Sequence, residues 1–75
     1  MSKVTKEILI VESEAVIYAQ YKPRKEELMV MFSRGATYTY FNVPLHVWRG
    51  LQTADSIGGF ISKHIRMKFE FKLAD

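Results

Sequence analysis

The stretch Leu28-Met29-Val30-Met31-Phe32-Ser33-Arg34-Gly35-Ala36-Thr37-Tyr38-Thr39-Tyr40-Phe41 has a period of two on both sides of a short break. Leu28, Val30 and Phe32 fall on one face of the first half, and Met29 and Met31 on the other. Alternation of this kind is the pattern of a β-strand. Both faces are apolar, so the strand is expected to be central in its sheet or covered on its second side. Ser33-Arg34-Gly35-Ala36 supplies a hairpin turn, in which Gly35 is free to take positive φ. Thr37 to Phe41 then returns as a strand, with Tyr38 and Tyr40 sharing a face.

Towards the C-terminus the period changes. Val43-Pro44 marks a helix start, since proline suits the first helical position. Leu45, Val47, Trp48, Leu51 and Ala54 follow at three- and four-residue spacings, the apolar face of a helix. Gly50 weakens that helix by ~1 kcal/mol relative to alanine. Thr53-Ala54-Asp55-Ser56 interrupts it, and Asp55 or Ser56 is placed to cap a second helix. Ile57, Phe60, Ile61 and Ile65 form the apolar stripe of that helix, and Lys63, His64 and Arg66 occupy its last turns, where cations favour the helix dipole. Phe69, Phe71 and Leu73 alternate with Lys68, Glu70 and Lys72, which predicts a closing strand rather than a helix extension.

Towards the N-terminus, Lys6 to Val11 reads as a short strand and Met1 to Lys6 as a frayed or strand-adding end. Glu12-Ser13-Glu14 breaks the pattern. Ala15 to Tyr21 is again β-rich, and Lys22 to Glu27 is a polar turn that Pro23, lacking an N–H, keeps out of the ladder. Strands followed by helices imply an α+β fold: a small antiparallel β-meander of three to five strands with two short α-helices on one face. At 75 residues, this is one domain, residues 1–75.

The composition is globular, with 48% hydrophobic and 25% charged residues. A domain of this size buries only roughly 60% of its unfolded-chain surface, so its stability margin is thin. The chain contains no cysteine, which excludes disulfides, cysteine-based zinc sites and a cysteine nucleophile. No apolar run approaches the ~18 residues of a membrane span, and the run Ile8-Leu9-Ile10-Val11 is too short for a signal-peptide core. The expectation is a cytoplasmic protein away from membranes. A net charge of +3 permits an anionic partner without requiring one.

The order Leu28-x-Val30-x-Phe32, Gly35, Tyr38-x-Tyr40, Val43-Pro44, Ala54-x-Ser56-x-Gly58, Ile65-Arg66 resembles the KTSC domain family over roughly residues 16–66. That domain occurs at the C-terminus of some lysyl-tRNA synthetases and as small stand-alone bacterial and phage proteins. The resemblance implies no particular activity; its company with a tRNA-charging enzyme hints at RNA. Glu12-Ser13-Glu14 replaces the small hydroxyl residues common in the family, and Gly59 a bulkier residue.

Catalytic constellations are poorly supported. Asp55 and Ser56 are sequence neighbours suited to capping, and no nucleophile-elbow motif is present. The glutamates read as solvated strand ends and turns. His46 and His64 have no i, i+4 partner for a metal and read as surface residues. The expectation is no catalytic residue, no metal and no cofactor, hence not an enzyme.

Ala54-Asp55-Ser56-Ile57-Gly58-Gly59-Phe60 is the most informative segment. Two glycines in a first helical turn carry a cost, and two explanations stand. Either the helix packs too closely for a β-carbon, or bare backbone N–H groups at Ser56, Gly58 and Gly59 receive an anion, with Arg49, Lys63 and Arg66 as charge partners. Tyr38 and Tyr40 are either core residues or a stacking platform for bases. Met29, Met31 and Phe41 make an apolar set on the second sheet face and predict a homo-oligomer. The function expected is a non-enzymatic module binding RNA or a nucleotide; the alternative is a protein-interaction module, such as a small phage or bacterial factor docking on a host protein.

Overall fold

Residues 7–10 and 15–74 are described by the computed structural model of the protein. The expectations for Met1 to Lys6 and for Glu12-Ser13-Glu14 fall outside these residues. Five strands, β1 (Glu7–Ile10), β2 (Val16–Lys22), β3 (Glu27–Phe32), β4 (Thr37–Tyr40) and β5 (Phe71–Ala74), form one antiparallel sheet in sequence order. Helices α1 (Leu45–Thr53) and α2 (Ile57–His64) lie between β4 and β5 in the chain. The α+β meander is therefore present, at the upper end of the expected strand count.

Register sorts the side chains. Ala19 pairs with Val30, Tyr21 with Leu28, Leu28 with Tyr40 and Val30 with Tyr38, so these residues share one face. Its buried members join Trp48 and Leu51 of α1, Ile61 of α2 and Ile65 just beyond it in the core. The helices thus cover the Leu28-Val30-Phe32 face. Met29 pairs with Gln20 and Thr39 on the opposite face, and Met31 with Tyr18 and Thr37. All six are half-buried and none belongs to the core.

One irregularity rephases β2. Val16 pairs with Phe32 but Tyr18 pairs with Met31, leaving Ile17 as an extra residue. The bulge puts Val16 on the same buried face as Ala19 and Tyr21, which uninterrupted alternation forbids. Ile17 is left exposed.

The β3–β4 turn follows from its glycine. Gly35 has φ 98°; its N–H donates to the Phe32 carbonyl at 2.9 Å, and Phe32 N–H donates to Ala36 O at 2.8 Å. Glu26 (φ 55°) and Asn42 (φ 58°) also adopt left-handed backbone, which the sequence did not announce. Glu26 immediately precedes β3, and Asn42 lies just beyond the end of β4. The Glu26 carbonyl then accepts the N–H of Val43 at 2.8 Å.

Helix α1 begins after Pro44, whose extended backbone makes it the N-cap rather than the first helical residue, with no side-chain cap. Packing compensates. Trp48 and Leu51 are fully buried, whereas Leu45, expected on the same face, is 40% exposed at the helix start. The Trp48 indole stacks on Tyr21 (centroids 5.4 Å, planes 14° apart), and the Tyr21 hydroxyl donates to the Val43 carbonyl at 2.6 Å. Helix α2 is capped by Ser56, whose Oγ accepts Gly59 N–H at 3.1 Å. At Gly50 an added β-carbon would stand 2.9 Å from Phe60 Cζ, so this glycine lets α2 approach α1.

Tyr40, Trp48 and Ile61 are buried together in the core, and Phe32 packs against them half-buried. Trp48→Ala should lower unfolding free energy by ~3–5 kcal/mol. Tyr21→Phe, which leaves the Val43 carbonyl without its donor, should cost about 1–3 kcal/mol. Chemical denaturation reads both; wild-type midpoints for either would contradict the packing described.

Candidate functional site

Between α2 and the β4–β5 end of the sheet lies an open groove of about 580 Å3. Its floor is aromatic because the register places Tyr38 and Tyr40 on the helix-covered face, opposite Leu73 and Phe71 of β5. Tyr38 lies edge-on to Phe32 (5.6 Å, 77°) and to Phe71 (5.4 Å, 81°), and Tyr40 is tilted against Phe71 at 5.8 Å. Phe71 forms one wall and remains 53% exposed, and Met67, 87% exposed, stands at the rim. The far wall comes from α2 through Gly58, Ile61 and Ser62. At Gly58 an added β-carbon would meet Ala15 Cβ at 3.2 Å, so the glycine permits close packing at the groove's end.

Two cations line the groove. Arg34 comes from the β3–β4 turn and Arg66 from the turn after α2. No carboxylate among the described residues lines it. Burial pushes the Tyr40 phenol above the ordinary tyrosine value, charge repulsion from the Tyr38 phenolate adds to that, and the positive charge of Arg66 partly offsets it. Arg66 is thus within electrostatic reach of the aromatic floor.

The groove brings together four of the residues singled out in the sequence: Tyr38, Tyr40, Gly58 and Arg66. Arg49, Ser56, Gly59 and Lys63 do not line it. Ser56 uses its side chain on Gly59 N–H, so one backbone donor of that first turn already has a partner within the helix. Arg34, Ser62 and Phe71 were missed. Arg34 reads as an ordinary turn residue, and Phe71 as one of three alternating strand residues. In fact Phe69 precedes β5 and packs against the core, while Phe71 and Leu73 are exposed. Among the described residues no group of His, Asp and Glu could hold a metal ion. No helix among them is long and apolar enough to cross a membrane.

Tyr40 gives a pH dependence. Its raised folded-state pKa means that the folded protein holds the phenolic proton longer than the unfolded chain. The stabilisation is fully present below the ordinary value of 10.0 and is lost as pH rises through the folded value. Ultraviolet titration of phenolate, with Tyr40→Phe as the difference reference, should show one late-titrating tyrosine. Arg66→Ala should move it later still, because the offsetting positive charge is gone. An unchanged titration in that variant would place Arg66 away from the floor.

The KTSC domain model matches residues 12–69. The chain is 39% identical over 59 residues to a protein of Tsukamurella paurometabola, covering 79% of this chain and 88% of that one. It is 33% identical over 61 residues to a lysine–tRNA ligase of Nostoc punctiforme, covering 81% of this chain and 11% of the ligase. The crystal structure of a KTSC domain protein from Yersinia pestis superposes with a TM-score of 0.86 at 27% identity, over 93% of this chain and 99% of that one. The chain thus spans nearly all of two of these relatives and about a tenth of the ligase.

Proposed function

Since the chain belongs to the KTSC domain family, we propose that it is a non-enzymatic binding module whose groove takes an anionic ligand, RNA or a nucleotide. The observation that carries this reading is the lining: Arg34 and Arg66 beside an aromatic floor, with no carboxylate from the described residues. Cations attract phosphate, and flat π-surfaces suit bases. A relative that is a lysine–tRNA ligase acts, by its name, on an RNA, which supports the class of ligand without pointing to any residue. A cytoplasmic location fits such a partner.

A second reading is a protein-interaction module. Met67, Phe71 and Leu73 leave apolar surface exposed at the rim and on the edge strand, where an apolar partner segment would find purchase.

Binding of a labelled single-stranded oligonucleotide, followed by fluorescence anisotropy, separates the two readings. Anion binding weakens steeply as salt rises, and apolar docking does not. Arg66→Ala and Arg34→Ala should each reduce affinity about tenfold, with Arg49→Ala and Lys63→Ala near wild type. The reverse pattern, in which Arg49→Ala alone abolishes binding, would move the site to the start of α2. Salt-insensitive capture of protein with no oligonucleotide binding would favour the second reading.

The sheet face bearing Met29 and Met31 is the surface proposed for self-association. Light scattering across a concentration series should show a species larger than one chain, reduced by Met29→Lys. A monomer at high micromolar concentration would remove this proposal and leave the groove untouched.

A further inference from the structure

We propose that the groove is a stacking subsite for one unpaired nucleotide within a single-stranded nucleic acid, with Phe71 and Tyr38 supplying the ring faces and Arg34 and Arg66 the flanking phosphate contacts. This deepens the anion-binding reading above and rests on it.

The rings carry the first part. Phe71 belongs to the edge strand β5, where a phenylalanine is 53% exposed against aromatic neighbours on one side only. The edge-to-face contact with Tyr38 and the tilted contact with Tyr40 hold the ring without covering it. Tyr38 is half-buried, gripped by Phe32 and Phe71 at 5.6 and 5.4 Å. The cluster therefore presents fixed aromatic surface to the groove, and little side-chain freedom is lost when a base stacks on it. Every base has a π-face, so such a surface is tolerant of sequence.

The arginines carry the second part. They come from separate elements, the β3–β4 turn and the turn after α2. Two cations from separate elements suit the two phosphates that flank each base in a strand. A free mononucleotide offers phosphate on one side alone. The groove, at about 580 Å3, is in the size class of a small-molecule pocket. In a duplex the base faces are stacked inside the helix, so Phe71 and Tyr38 would add nothing to its binding. Ser62, on the α2 wall, supplies a hydroxyl able to meet a 2′-OH, the group by which a protein distinguishes RNA from DNA.

The test compares, on the full chain, a labelled single-stranded oligouridylate of about eight nucleotides, an abasic phosphodiester chain of the same length and charge, the corresponding deoxy-oligomer, a blunt duplex and uridine monophosphate. The oligouridylate should bind about 5- to 100-fold more tightly than the abasic chain. Phe71→Ala should remove that advantage and leave abasic binding unchanged. Phe71→Leu, which keeps apolar bulk in the strand but no π-face, serves if the alanine variant fails to fold by circular dichroism. Two phosphate contacts set the slope of log affinity against log salt at about −1.4 on a single strand. The deoxy-oligomer decides between RNA and either nucleic acid, and tight binding of the monophosphate would overturn the strand requirement. An abasic chain binding as tightly as the oligouridylate, or a duplex doing so at equal phosphate concentration, would overturn the stacking subsite while the anion reading stood. Loss of binding to every anion would overturn both.

Discussion

The peptide groups around Val43 hold the molecule together. The Val43 N–H donates to the Glu26 carbonyl and its carbonyl accepts the Tyr21 hydroxyl. Val43 is fully buried, so leaving either group unpaired would carry a desolvation cost that a domain of this size could ill sustain. These two bonds tie the exit of β4 to the β2–β3 turn and to the middle of the sheet. The chain can then enter α1 in only one direction, with Trp48 laid flat on the Tyr21 ring. Gly50 in turn admits the Phe60 ring and sets how closely α2 follows. The inner wall of the groove is therefore the last link of a chain of contacts that starts at a tyrosine hydroxyl.

Most of the fold could be read in the sequence because two periodicities announce it. The alternation of Leu28, Val30 and Phe32 gave the strand and sorted its two faces, and the spacing of Trp48 and Leu51 gave the face of α1. What escaped depends on backbone states with no residue signature. The bulge after Val16 shifts the buried phase of β2 by one residue, and nothing in Val16-Ile17-Tyr18 marks the site. Glu26 takes positive φ without being glycine or asparagine, and its carbonyl accepts the N–H of Val43, far away in sequence.

The site was half legible. Tyr38 and Tyr40 were identified because they share a strand face, and their proximity to Arg66 was unreadable because it depends on where α2 ends over the sheet. The glycine pair drew attention to the start of α2, yet the tightest glycine is Gly50, opposite Phe60. A sequence shows that a small residue is present and not what stands against it. Phe71 was hidden for a related reason. It alternates correctly for a strand, but edge position decides whether an alternating aromatic is buried or offered to solvent.

The two strands that carry the aromatic rings of the groove are formed under different entropic terms. β3 and β4 are joined by a tight turn and can pair locally, whereas β5 reaches β4 only after both helices have been laid across the sheet. Closing that long loop costs more chain entropy than closing the β3–β4 turn. In the native ensemble β5, a four-residue edge strand paired on one side only, is held less firmly than the interior strands of the sheet. Amide hydrogens of β5 should exchange ahead of those in β2 and β3, and a ligand that spans floor and wall would slow them selectively.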